Sequence, residues 1–84
     1  MGYRLFIALD VLAYLEAQNR SRRRAILAHF ERLQDFPGNY SDYIETDKAG
    51  RRLDVSVFSG VAIYFWVDDA DQQVKILKLM TADK

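Results

Sequence analysis

The chain has 84 residues, with 12 Lys and Arg against 12 Asp and Glu and no cysteine. One domain of that length sits near the size at which a single core is only marginally sufficient, so a partner chain is expected to complete it. Zero net charge removes the whole-molecule field behind non-specific nucleic-acid binding, and the lack of thiols excludes a disulfide framework and a thiolate metal site.

Half of the residues are hydrophobic and 29% are charged, the balance of a folded domain rather than a disordered one. The N-terminal run YRLFIALDVLAYL is apolar but short and carries Arg4 and Asp10. It also lacks a basic leader and a small-residue cleavage site, so it reads as neither a signal peptide nor a membrane span. Nothing demands an oxidising compartment, and a cytoplasmic setting is expected.

In chain order, Tyr3 to Ala8 reads as a first strand. Asp10 is placed to cap a short helix from Val11, VLAYLEAQ, which Asn19 and Arg20 break. Ser21 is then the expected N-cap of a second helix, whose Ala25, Ile26, Leu27, Phe30 and Leu33 form an apolar stripe. Asp35-Phe36-Pro37-Gly38-Asn39 stops it, so the two helices make a hairpin.

After Tyr40 the period becomes that of strands. SDYIETD is a short strand and DKAG a turn. In RRLDVSVF, Leu53, Val55 and Val57 alternate with Asp54 and Ser56; Ser59-Gly60 turns the chain. In VAIYFWV, Val61, Ile63, Phe65 and Val67 alternate with Ala62, Tyr64 and Trp66. Asp68 to Gln73 reverses the chain again, VKILKLM is the last strand, and TADK is a frayed polar end. Residues 1–84 thus read as one α+β domain: a strand, a helical hairpin, then an antiparallel meander of four strands. Helices on one side are expected to bury Val55, Val57, Ile63 and Phe65 against Ile26, Phe30 and Leu33, leaving Tyr64 and Trp66 on the second sheet face.

Several residues invite a chemical reading. Lys48, Arg51 and Arg52 cluster at one hairpin, with Lys75 and Lys78 on the last strand within reach. If they converge on one face they can hold phosphate; otherwise they are solvated or guard an edge strand against pairing. Tyr64 and Trp66 suit stacking on bases, anchoring of a partner chain, or a small second core. Arg20, Arg22, Arg23 and Arg24 flank the start of the second helix, where cations oppose the helix dipole. They read as a basic patch for nucleic acid or an acidic partner, or as a solubilising face with Arg23 or Arg24 paired to Glu16 or Glu31.

His29, the one histidine, has no second ligand at metal spacing and is expected to be a partly exposed helix residue. Asp68, Asp69 and Asp71 lack the remaining ligands of a metal loop and read as a turn. Glu45 and Asp47 share a strand face but have no nucleophile beside them. No phosphate-binding glycine loop, dinucleotide fingerprint or hydrolase elbow occurs, and neither a metal nor a cofactor is implied.

From Ile44 onward the chain carries a D-x-x-G-R turn (Asp47, Gly50, Arg51), an L-x-V-x-V strand (Leu53, Val55, Val57), and an A-I-x-F-W segment (Ala62, Ile63, Phe65, Trp66). V-K-I and a closing A-D follow. Taken with the order of elements, this resembles the RelE/ParE superfamily of bacterial type II toxins. The resemblance implies a compact α+β toxin that restrains growth and is held inactive by a cognate antitoxin. RelE-type members cut mRNA in the ribosomal A site, and ParE-type members poison DNA gyrase.

On the ribonuclease reading, Lys48, Arg51 and Arg52 hold phosphates and Lys78 stabilises charge. Tyr64 or Trp66 stacks on a base, Arg22 and Arg23 add RNA contacts, and Tyr64 and Trp66 also serve the antitoxin. Where such toxins often have an arginine on the central strand, this chain has Ala62, and its end is Thr81-Ala82-Asp83-Lys84. Both departures count against efficient RNA cleavage and keep open a protein-binding toxin, or one that retains chiefly its antitoxin contact.

Overall fold

The computed structural model describes residues 3–82. Strand β1 (Arg4–Ile7) leads into helices α1 (Leu9–Glu16) and α2 (Arg20–Asp35) and a 3-10 turn, Pro37–Asn39. Strands β2 (Tyr43–Thr46), β3 (Arg52–Phe58), β4 (Val61–Asp68) and β5 (Gln73–Thr81) follow. The sheet order is β1-β5-β4-β3-β2, with β1 parallel to β5 and every other pair antiparallel. A parallel pair needs a long crossover, and here the helical hairpin and the β2–β4 meander together supply it. The expected α+β architecture is the one observed. Thr81 belongs to β5 rather than to a frayed end, and Asp83 and Lys84 lie outside the described residues.

Both helices begin differently from expectation. Asp10 does not cap α1. Ala8 occupies the N-cap position without a side-chain bond, and Asp10 sits in the first turn, where its charge suits the dipole. Asn19, not Ser21, caps α2: its side chain accepts from the Arg22 backbone N–H at 2.8 Å. Extended backbone at Asn19 aims its side-chain oxygen at that otherwise unpaired N–H, so the helix starts at Arg20.

The main core lies between helices and sheet. Val11, Leu15, Ile26, Phe30 and Leu33 pack on Val61, Ile63 and Phe65 of β4 and on Val74, Ile76 and Leu79 of β5. Val55 and Val57 do not join it. Val55 is buried on the opposite face with Leu53, Ala62 and Tyr64, and Val57 is exposed. The two-residue turn Ser59-Gly60, with φ of 53° and 78°, pairs Phe58 with Val61 and therefore Val55 with Tyr64. Directly paired residues share a face, so the Asp54–Ser56 side of β3 is the one turned toward the helices.

That phase gives His29 its place. It is buried rather than partly exposed, with Nε2 2.9 Å from Ser56 Oγ and its ring stacked on Phe58 at 4.3 Å. Arg32 Nη1 approaches Nδ1 at 3.2 Å. A guanidinium can only donate, so Nδ1 accepts and the Nε2–H donates to Ser56: the ring is neutral. Burial, then the Arg32 charge, lowers its pKa, with Asp42 acting in the opposite sense.

Below about pH 6.5 an unfolded histidine takes up a proton that folded His29 refuses. The stabilising effect is complete above that pH and is lost as pH falls. The urea midpoint should therefore drop between pH 7.5 and 5.5, and His29→Gln should flatten that slope whatever its own stability. In the main core, Phe65→Ala should cost about 3–5 kcal/mol in urea unfolding, because Phe65 has no solvent exposure.

Candidate functional site

The helices leave the second sheet face uncovered, and an irregularity in β5 decides which side chains stand on it. Tyr64 pairs with Lys78 but Phe65 pairs with Ile76, so Leu77 is the extra residue of a β-bulge. In a regular strand Lys75 and Lys78, three apart, would point to opposite faces. The bulge puts both on the uncovered face and both Ile76 and Leu79 in the main core. The Lys78 ammonium lies 4.6 Å from the centre of the Tyr64 ring, and that of Lys75 4.8 Å from the centre of the Trp66 ring. Lys75 also reaches the Asp68 carboxylate at 3.6 Å.

Beside this row lies an open cleft of about 500 Å³. Glu45, Asp47 and Lys48 from the end of β2 and its turn line one wall, and Leu53, Tyr64 and Lys78 contribute from β3, β4 and β5. Tyr64 is nearly buried, packed among Leu53, Val55 and Ala62. Burial, and then the negative charge of Glu45, raises its pKa, so its hydroxyl keeps its proton and can donate.

Of the four cations expected to work together, Lys48 and Lys78 meet in this cleft. Arg51 folds back on Asp47, with Nε at 3.0 Å and Nη2 at 2.9 Å from Oδ2. Asp47 Oδ1 also accepts from the backbone N–H groups of Ala49 and Arg51, at 3.0 and 2.8 Å. The Arg51 N–H, then its guanidinium, holds the Asp47 carboxyl below its ordinary value. Arg52, adjacent to Leu53 in β3, points to the other face and is exposed. Trp66 is half-buried and lies on the same face as Tyr64, as expected.

Sequence reasoning missed the bulge, although V-K-I-L-K-L carries its signal: strict alternation would have put Lys78 among core residues. It also set Glu45 aside for want of a nucleophile, a want that a substrate with its own hydroxyl removes. Among the described residues no group of His, Cys, Asp or Glu could hold a metal ion.

In sequence, no protein-family model and no curated protein matches the chain. Solved structures do match. A chain of the archaeal RelE–RelB complex from Pyrococcus horikoshii superposes with a TM-score of 0.81 at 21% identity, over 100% of this chain and 99% of that one. A chain of the RelBE2 toxin–antitoxin complex from Mycobacterium tuberculosis gives 0.82 at 15% identity, over 99% and 95%. One from the intact RelBE complex of E. coli gives 0.65 at 14%, over 98% and 99%. The chain has the RelE fold.

Within this RelE fold, Arg22 and Arg23 stand on α2, across the sheet from the cleft. Arg23 does not pair with Glu16 or Glu31. Its Nε donates to the Leu15 carbonyl at 3.1 Å and its Nη2 to that of Gln18 at 3.0 Å, so it ties the first turns of α2 to the end of α1 and to the link that follows it. Arg23→Gln should therefore lower stability by about 1–2 kcal/mol in urea unfolding, a loss that an arginine held only for RNA would not cause.

Proposed function

We propose that the chain is the toxin of a toxin–antitoxin pair and that it cleaves messenger RNA on the ribosome, using the cleft on the uncovered face. Support for the toxin reading comes from the fold, shared with chains of three RelE–RelB or RelBE toxin–antitoxin complexes. The observation that carries the RNA reading is the convergence of Lys48 and Lys78 with Glu45 and Tyr64 in one cleft.

RNA brings its own nucleophile. Glu45 takes the proton of a 2′-hydroxyl as its oxygen bonds to phosphorus. The bond from phosphorus to the 5′-oxygen breaks, and Tyr64 gives that oxygen a proton. A 2′,3′-cyclic phosphate and a 5′-hydroxyl result, so protons and electrons balance within the cleft. Lys48 and Lys78 stabilise the charge that builds on the phosphoryl oxygens. Trp66, on the same face, offers its exposed edge to a base or to the antitoxin. The setting is the cytoplasm, where ribosomes are.

Ala62 favours a second reading. It is buried against Leu53, Val55 and Tyr64, leaving no cation from the middle of β4 on this face. A toxin that binds a protein such as gyrase, or one that holds only its antitoxin, needs none.

Adding the protein to a reconstituted translation reaction and mapping mRNA ends by primer extension separates these readings. Cuts at A-site codons are expected, falling about 100-fold or more in Lys48→Ala/Lys78→Ala and in Glu45→Gln. Intact mRNA with unimpaired translation would exclude the ribonuclease and direct the next assay to gyrase supercoiling.

A further inference from the structure

The cleft ends at Tyr64 and Lys78, but the uncovered face of the sheet continues past β5 to β1. Leu5 and Ile7 of β1 pack into the main core, so Phe6, between them, stands on the opposite side. Phe6 pairs with Lys75, and Lys75 with Trp66, which sets the three in one row across β1, β5 and β4. Phe6 is 51% exposed and belongs to neither buried cluster. A single exposed apolar residue means nothing by itself, and the row is what gives Phe6 a use.

Trp66 lies two residues from Tyr64 on the same face of β4, about 7 Å along the strand. Phe6 lies two strands beyond Trp66, roughly 10 Å away. Two aromatic rings therefore stand within reach of the first nucleotides of a chain leaving the cleft. Lys75 lies between them, its ammonium 4.8 Å from the centre of the Trp66 ring and 3.6 Å from the Asp68 carboxylate. A base that takes its place over the indole leaves it a partner in Asp68. Of the neighbours that the register gives Phe6 on this face, Arg4, Gln73 and Lys75 are polar and Leu77, at the bulge, is apolar. A protein anchor needs neighbours that exclude water, which this surround does not supply. A stacked base needs the ring alone, and its polar edge stays wet.

The chemistry proposed above also gives the path a direction. The 2′-hydroxyl whose proton Glu45 takes belongs to the nucleotide upstream of the cut, and the 5′-oxygen that Tyr64 protonates belongs to the nucleotide downstream. Glu45 is on β2 and Tyr64 on β4, so the downstream side of the cleft is the side of β5 and β1. We propose that Trp66 and Phe6 form a stacking platform for the first two nucleotides downstream of the cut, with Lys75 covering the indole until a base displaces it. The direction rests on the cleavage reading; the platform for bases does not.

Trp66 is the only tryptophan, so its fluorescence reports on the platform directly. The purified protein is titrated with a hexamer of deoxyadenosine, which has no 2′-hydroxyl to be cut, and with an abasic deoxyribose-phosphate strand of the same length. The hexamer should quench the emission and bind at least about 5-fold more tightly than the abasic strand, and Phe6→Leu should weaken the hexamer by at least about the same factor. Phe6→Tyr, which keeps the ring, should bind like wild type. Circular dichroism and the thermal midpoint should show both variants folded, because the side chain replaced is half-exposed. In the translation reaction, mRNAs ending one and four nucleotides beyond the cut are then compared. Wild type should cut the longer at least about 5-fold faster, and Phe6→Leu should erase that difference.

Equal binding of the hexamer and the abasic strand overturns the proposal. So does a Phe6→Leu variant that binds the hexamer like wild type, or one that loses affinity only for a co-purified antitoxin. Quenching that depends on Phe6 in a protein that cuts no mRNA keeps the platform and removes the cleavage reading, together with the direction drawn from it. Cutting that ignores both Phe6→Leu and the length downstream does the reverse.

Discussion

Five consecutive residues of β4, Val61 to Phe65, are buried, so both faces of the sheet need cover from a chain of only 84 residues. The two helices can cover one face, and eleven buried residues gather there. The other face has a thin cluster, Leu53, Val55, Ala62 and Tyr64, with Trp66, Leu77 and Ala82 at its margin. Lysine stems complete the cover: Lys75 and Lys78 lie across Trp66 and Tyr64 while their ammonium groups stay in water. The Lys78 cation of the cleft is thus a consequence of how β4 is closed off from solvent. A fold with a third helix on that face would have no cleft there.

Much of this was legible in the sequence. Periodicity gave both helices and all five strands, and the alternation within β3 and β4 was correct for each strand taken alone. What failed was the phase between them, although the positive-φ pair Ser59-Gly60 fixes Val55 opposite Tyr64 once the turn is taken as two residues. His29 sits at the spacing of the apolar stripe Ile26, Phe30 and Leu33, so its burial was legible too. Its partner was not, because Ser56 reaches it only after the sheet has packed on the helix. Helix starts depend on one or two backbone angles, and Asn19 and Ser21 are both good caps by composition.

The candidate site divides along the same line. Lys48, Lys78 and Tyr64 were named from sequence and do meet, whereas Arg51 and Arg52 do not join them. Adjacent residues on a strand point apart, which removes Arg52. Arg51 is removed by the turn itself: Asp47 draws its backbone N–H and its guanidinium inward. Sequence places cations near one another, but only the turn geometry determines which of them is neutralised.

That turn also bears on how the cleft could work. The Asp47 carboxylate accepts three hydrogen bonds within residues 47–51, and Gly50, at φ of 83°, allows the chain to close under it. Asp47 is therefore committed to holding the wall that carries Lys48, and Glu45 is the cleft carboxylate left free of such bonds among the described residues. The opposite wall is set by the bulge that turns Lys78 over Tyr64. Two local irregularities, a capped turn and a bulge, fix the lysines from either side, while the strands between them fix Glu45 and Tyr64. Such a cleft is organised before any ligand arrives, and for the ribonuclease proposed above that is the condition under which electrostatic stabilisation of a transition state is most effective.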